Sequence, residues 1–91
     1  MYEIIYSTRF KKDYKSCQKR NLDISLLQNI VIKLANAQEL EFNNFDHKLS
    51  GEYRDCRECH IKPDWLLIYK INESQNILSL VRTGTHTDLF E

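Results

Sequence analysis

The chain has 91 residues, enough for one domain spanning residues 1–91 and too few for two separate cores. With 42% hydrophobic and 29% charged residues, the composition is that of a folded protein and excludes a disordered one. A formal net charge of zero argues against a generally basic nucleic-acid binder. No apolar run is long enough for a signal peptide or a membrane span, so we expect a cytoplasmic protein with no membrane partner.

The charges are distributed unevenly along the chain. Residues 36–46 contain acidic side chains and no basic one, whereas six of the eight charged side chains among the first 20 residues are basic. The basic side chains there are Arg9, Lys11, Lys12, Lys15, Lys19 and Arg20. Such a face either binds a polyanion or is simply solvated, and composition alone leaves both interpretations open.

The N-terminal segment predicts a strand and then a helix. Residues 2–6 form a short run rich in strand-forming residues, and Ser7 or Thr8 can cap the helix that follows. One apolar stripe recurs at helical spacing, made by Phe10, Tyr14 and Cys17. The basic residues lie on the opposite face of this helix.

A second helix is predicted after the interruption at residues 21–23, with Asp23 as its cap. Its apolar residues keep helical spacing to about residue 37; they are Ile24, Leu27, Ile30 or Val31, and Leu34. Residues 38–50 predict a polar connector that ends at Gly51.

The second half of the chain predicts three strands, at residues 53–61, 66–71 and 77–82, with a hairpin turn at 72–76. The middle strand is apolar at both parities, so both of its faces should be covered. The element order β-α-α-β-β-β predicts an α+β fold in which two N-terminal helices pack on one face of a small, mostly antiparallel sheet.

Cysteine and histidine motifs suggest a haem site, which we reject, and a zinc site, which is conceivable but disfavoured. Residues 56–60 match the C-x-x-C-H pattern of covalent haem attachment. On a strand, however, Cys56 and Cys59 point to opposite faces and cannot converge on one group. Zinc bound by the three histidines is disfavoured, because each has a Lys or Arg nearby. We therefore predict no metal and no cofactor.

The polar residues near the predicted strand ends suggest a different chemistry. His60 and Asp64 lie at one bend, while Arg82 and His86 lie at the end of the last strand. Histidine titrates near neutral pH, so one can act as a base and another as an acid. Arginine can bind a phosphate, and an exposed Trp65 or Phe can stack on an unpaired base. Together these groups indicate metal-free RNA cleavage.

Three stretches of the chain resemble the YafQ-like branch of RelE-type bacterial toxins: residues 47–53, 58–69 and 82–90. The resemblance implies the RelE-like fold and an endoribonuclease toxin of a type II toxin–antitoxin pair, which cuts mRNA in the ribosomal A site. It also implies that His47, His60, Asp64 and His86 are catalytic. Trp65, Arg82 and Phe90 match further active-site positions.

We therefore hypothesise that His60 or Asp64 is the base, that His86 is the acid and that Arg82 stabilises charge on the phosphate. His47 would share the role of base or orient the phosphate, and Trp65 and Phe90 would hold bases or shape the pocket.

The expected partners are mRNA, the ribosome and a cognate antitoxin. Lys11, Lys12 and Lys15 of the first helix are the residues expected to contact ribosomal RNA. The antitoxin would form a heterotetrameric complex with the toxin and bind the operator. The alternative is a non-catalytic, ParE-type toxin that acts by binding a protein such as gyrase.

Overall fold

The structure, a computed structural model, describes residues 1–90. Its elements are β1 (Glu3–Tyr6), α1 (Thr8–Lys19), α2 (Ile24–Ala35), β2 (His47–Lys48), β3 (Arg57–Lys62), β4 (Trp65–Asn72), β5 (Ile77–Gly84) and α3 (His86–Phe90). Single 3₁₀ turns at Phe42–Asn44 and Gly51–Tyr53 flank β2. Within residues 1–90, no helix is both long and apolar enough to cross a membrane.

The predicted α+β order is confirmed, with two elements added. The polar connector at 38–50 contains the short strand β2, and α3 follows β5. The strand predicted at residues 53–61 starts later than expected. The chain makes a 3₁₀ turn at Gly51–Tyr53, and the strand, β3, begins at Arg57. Strand propensity at Tyr53 is overridden because its side chain packs under the sheet instead.

Both helix caps follow the local sequence. Of the two candidates for the first cap, Ser7 is the residue used, since its Oγ accepts a 2.9 Å hydrogen bond from the N–H of Phe10. Asp23 caps α2 by accepting from the N–H of Ser25 at 3.1 Å. Each bond satisfies an amide that has no partner within its helix.

The sheet has five strands in the order β1-β5-β4-β3-β2. β1 runs parallel to β5, and the other neighbours are antiparallel. β4 is central and is buried on both faces from Trp65 to Tyr69, which confirms the prediction from its apolar pattern.

Two apolar clusters lie on opposite faces of the sheet. The larger one is covered by α1 and α2 and includes Cys59. The smaller one holds Leu66, Ile68 and Leu89, with Cys56 packed against it. The two thiols therefore lie on opposite faces, as the strand parity predicted. The face of the smaller cluster also carries the polar residues described below.

Helix α1 completes the edge of β5 that β1 leaves open. β1 ends at Tyr6, opposite Leu80, so the next backbone groups of β5 have no neighbouring strand. Ser7 Oγ donates to the carbonyl of Val81 at 2.7 Å, and Asp13 Oδ2 accepts from the N–H of Thr83 at 3.2 Å. α1 is thereby fixed beside the end of β5 that bears Arg82.

Candidate active site

The sheet register aligns the polar residues in two neighbouring rows on one face. The first row runs across four strands through His47, Glu58, Ile68 and Arg82. The second runs through His60, Leu66 and Gly84. Directly paired residues in antiparallel strands have Cβ atoms about 4.5–5.5 Å apart, so residues far apart in sequence become neighbours.

Glu58 lies at the centre of a histidine cluster. Its Oε1 is 3.5 Å from Nε2 of His47 and 3.8 Å from Nε2 of His60. The Glu58 side chain is 6% exposed, and its Oε2 is buried without a hydrogen-bond partner among residues 1–90. A buried carboxylate oxygen without a partner is costly, which is why such groups mark functional sites.

The sequence prediction omitted Glu58. It is two positions before His60 on the predicted strand, so both side chains must point to the same face. That parity was the signal available in the sequence.

Backbone carbonyls determine which histidine nitrogen carries the proton. Nδ1 of His47 lies 2.6 Å from the carbonyl of Phe45, and Nδ1 of His60 lies 3.2 Å from that of Pro63. A carbonyl only accepts hydrogen bonds, so Nδ1 is the donor in both rings. Nε2 of each ring, which faces Glu58, is therefore the atom that accepts or releases a proton.

His86 and Asp64 meet at the start of α3. The N–H of His86 donates a long 3.4 Å hydrogen bond to Asp64 Oδ1. The imidazole of His86 is exposed, and its centroid lies 5.0 Å from that of Phe90, which in turn contacts Tyr53 edge-on at 6.1 Å. The structure thus brings Asp64, His86 and Phe90 together beside the second row.

Arg82 is held by α1 and is less free than predicted. Its Nε and Nη2 donate to the two carboxylate oxygens of Asp13 at 2.8 and 3.0 Å. This bidentate pair raises the pKa of Arg82, as hydrogen bonding to Asp13 is the largest influence on it. The Arg82 side chain is only 10% exposed. Nη1 is the one guanidinium nitrogen that is not bonded to Asp13.

The prediction that an exposed Trp65 stacks on a base is wrong for this structure. Trp65 is 3% exposed and lies in the cluster beneath α1 and α2. Its Nε1 donates to Thr83 Oγ1 at 3.0 Å, and that hydroxyl donates to the carbonyl of Leu66 at 2.8 Å. The indole therefore supports β4 and β5 from the face opposite the histidines.

The structure does not bring the predicted RNA-contacting lysines to the histidine cluster. Lys11, Lys12 and Lys15 are exposed on α1. Lys11 and Lys15 line a groove of about 690 Å³ on the helix side, together with residues of α2 and β1. Contact with ribosomal RNA at this surface stays a prediction.

A polar network anchors the short helix α3. Thr85 and Asp88 cap it reciprocally, since the N–H of Thr85 donates to Asp88 Oδ2 at 2.9 Å and the N–H of Asp88 donates to Thr85 Oγ1 at 3.1 Å. Arg20 of α1 donates to both Asp88 oxygens at 2.7 and 3.2 Å. Gly84 precedes the helix with φ +155°, and a Cβ there would lie 2.9 Å from Asp88 Oδ2. Only glycine fits this connection.

We expect Asp88→Asn to destabilise the protein at neutral pH but not in acid. Hydrogen bonding from Arg20 is the main reason that the pKa of Asp88 falls from 3.8 to about 2. A lowered carboxyl pKa stabilises the folded state above pH 3.8, and that stabilisation is lost as the pH falls through about 2. The variant should melt roughly 4–8 °C lower at pH 7, and the difference should vanish near pH 2. Thermal unfolding at pH 7 and near pH 2 tests this, with Asp55→Asn as the control. The same difference in melting temperature between Asp88→Asn and the wild type at both pH values would contradict it.

The chain is similar over almost its full length to known bacterial toxins. The family model described as the bacterial toxin of type II toxin–antitoxin systems, YafQ, matches residues 2–91. The Escherichia coli K12 protein named mRNA interferase toxin YafQ is 39% identical over 89 residues, covering 97% of this chain and 95% of that protein. This chain belongs to the YafQ toxin family.

Solved structures of similar bacterial toxins have the same fold. A crystal structure of a metal-bound toxin from Helicobacter pylori is 46% identical, with a TM-score of 0.93, and 99% of this chain matches 100% of that one. YafQ in the E. coli DinJ–YafQ toxin–antitoxin complex is 38% identical, with a TM-score of 0.89 and coverage of 99% and 98%. The family and the enzyme class predicted from the sequence are confirmed, since curated YafQ relatives are named mRNA interferases.

The similar H. pylori toxin is metal-bound, so the arrangement of possible metal ligands in this chain is relevant. Nε2 of His47 and Nε2 of His60 lie 3.5 and 3.8 Å from the same Glu58 oxygen. Within residues 1–90, no group of three or more His, Cys, Asp or Glu side chains is arranged to hold an ion. The chemistry proposed below uses this chain's own side chains, and no step in it passes through a metal.

Proposed function

We propose that this YafQ-family chain is an endoribonuclease that cleaves mRNA in the ribosomal A site by metal-independent acid–base catalysis. The observation that carries the proposal is the Glu58 carboxylate enclosed between two histidine Nε2 atoms, on the sheet face that also bears Arg82. His86 lies beside the same face, at the start of α3. A surface that only binds a protein has no need of a buried, unpartnered carboxylate among proton-transfer groups.

The chemistry is attack of a ribose 2′-oxygen on the adjacent phosphorus. The Glu58–His60 pair removes the 2′-hydroxyl proton, and His47 can share that role through its own Nε2. The new bond joins the 2′-oxygen to phosphorus, while the bond from phosphorus to the 5′-oxygen breaks. His86 gives a proton to that leaving oxygen, so the products are a cyclic phosphate and a 5′-hydroxyl end.

The remaining predicted residues take supporting roles. The Nη1 group of Arg82 donates to the phosphate as charge develops, and Asp13 fixes the direction of the guanidinium. Asp64 holds the first N–H of α3 and so orients His86, which makes it less suited to be the base. Phe90 packs beside the His86 ring and shapes that end of the site.

The test is cleavage of a defined mRNA with and without ribosomes. Purified protein should cut the mRNA in the A site of programmed ribosomes and leave the naked transcript intact. Cleavage of naked RNA at an equal rate would overturn ribosome dependence. Intact mRNA combined with inhibited DNA supercoiling by gyrase would instead support the ParE-type alternative.

We further propose a cognate antitoxin as the partner, by analogy with the E. coli DinJ–YafQ complex. The apolar groove between α1 and α2 is suited to a helical antitoxin segment, with Lys11 and Lys15 on its lining to attract acidic residues. A heterotetrameric complex that binds its operator through the antitoxin, acting in the cytoplasm, completes the proposal.

Charge reversal of Lys11, Lys12 and Lys15 to Glu should weaken binding to the ribosome. If these exposed lysines contact ribosomal phosphates, the variant releases fewer counterions when it binds. The slope of log Kd against log salt concentration should then become shallower by roughly 2–3. Sedimentation of ribosome-bound protein over a salt series measures this, with Lys70→Glu on β4 as the control. Unchanged binding would mean that the lysines form a solvated face.

A further inference from the structure

Two exposed phenylalanines stand beside the histidine cluster. Phe42 is 93% exposed and Phe45 is 58% exposed, with ring centroids 6.2 Å apart. They line a pocket of about 410 Å³ that His47 also lines. We call this pair the aromatic platform. Large apolar side chains are rarely left so exposed next to a polar site unless something binds them.

The chain fixes Phe45 in an unusual backbone conformation. Its φ of 48° and ψ of 46° lie in the left-handed region, which bulky residues seldom adopt. Asn44 supports the turn in two ways: its side-chain oxygen accepts from the N–H of Glu41 at 3.1 Å, and its Nδ2 donates to the carbonyl of His60 at 2.7 Å. The structure therefore holds the Phe45 ring outward.

The platform is joined directly to both histidines. The Phe45 ring meets that of His60 edge-on at 5.5 Å, and the Phe45 carbonyl accepts from His47 Nδ1 at 2.6 Å. Whatever occupies the platform therefore lies next to the groups assigned to proton transfer.

The charges of the pocket favour a base over a phosphate. Its lining contains Glu41 and Asp46 and, apart from His47, no basic residue. Asp46 is already bonded to Tyr69 and Arg57, at 2.6 and 3.2 Å. A phosphate would be repelled here, whereas the neutral face of a nucleobase can stack on the rings.

We propose that Phe42 and Phe45 form a stacking subsite for one unpaired nucleobase that flanks the cleaved phosphate. The proposal rests on the ribonuclease function above and adds a binding position to it. Stacking uses the ring face that every base has, so the subsite should anchor the RNA with little preference for base identity.

Single-turnover cleavage of mRNA on programmed ribosomes tests the subsite. Phe42→Leu and Phe45→Leu keep apolar bulk but lack an aromatic face, and each should lower kcat/KM roughly tenfold, chiefly through KM. Phe42→Tyr and Phe45→Tyr should retain cleavage. Ile5→Ala, at an exposed apolar residue of β1 that lies outside both the platform and the α1–α2 groove, is the control and should cleave normally. The pH profile should keep its shape, because the histidines are unchanged.

An mRNA with an abasic nucleotide identifies the occupant. The abasic nucleotide is placed in turn at each position that flanks the cut. At one of these positions, wild type and the leucine variants should cleave the RNA at the same rate. Wild-type rates in the leucine variants, or a penalty that persists at every position, would overturn the subsite. Loss of antitoxin binding with cleavage intact would assign the platform to a protein interface and also overturn it. Absence of cleavage by the wild-type protein would instead overturn the proposed function.

Discussion

Glu58→Gln is expected to lower mRNA cleavage by roughly 10²–10⁴-fold, the contribution typical of one positioned proton-transfer group. Glutamine has the same shape but cannot take a proton from His47, His60 or a ribose hydroxyl at neutral pH. The fold should persist, because the change removes a buried carboxylate whose Oε2 has no partner among residues 1–90. Single-turnover cleavage and a melting curve measure the two effects separately.

The control for Glu58→Gln is Glu73→Gln, the same substitution at an exposed turn residue, which should cleave normally. Variants of the histidines refine the result. The pH–rate profiles of His60→Ala and His86→Ala should each lose one limb. His60→Ala should lose the limb that reports the catalytic base, and His86→Ala the limb that reports the catalytic acid. Full cleavage by Glu58→Gln would remove the carboxylate from the mechanism, and full cleavage by both histidine variants would remove acid–base catalysis at this site.

Trp65→Ala is expected to lower the free energy of unfolding by about 3–5 kcal/mol, the usual cost of deleting a buried large aromatic residue. A protein of this size is stabilised by only about 5–15 kcal/mol, so the substitution should remove a large fraction of the total stability. Part of the loss arises because Thr83 Oγ1 no longer receives the indole N–H. Trp65→Phe keeps most of the packing and loses only that hydrogen bond, at about 1 kcal/mol.

Urea denaturation measures these free energies, and cleavage should be normalised to the folded fraction. Phe90→Ala, at a residue 39% exposed, is the comparison and should cost far less stability. If Trp65→Ala were as stable as the wild type but needed much more substrate for half-maximal cleavage, the indole would be a base-stacking residue as the sequence first indicated.

Local features of the fold were predictable because nearby residues cause them. Ser7 and Asp23 cap their helices through bonds that span only two or three residues. The alternating or continuous apolar pattern of each strand identified β4 as covered on both faces and placed the two C-x-x-C thiols on opposite faces. The stretches that resemble the YafQ family also lie within continuous sequence, and the family assignment followed from them.

Sequence alone therefore determined the two long helices, the main strands and the family, and it named the histidines as candidate site residues. Tertiary structure decided which groups those histidines face. Glu58 meets His47 only through the pairing of β3 with β2, a two-residue strand too short for its sequence to predict. Arg82 meets Asp13 across 69 positions, and Trp65 is buried because two helices cover it. Such contacts depend on how distant segments pack. No local pattern specifies that packing, because a given residue type can be exposed or buried depending on which segment lies against it.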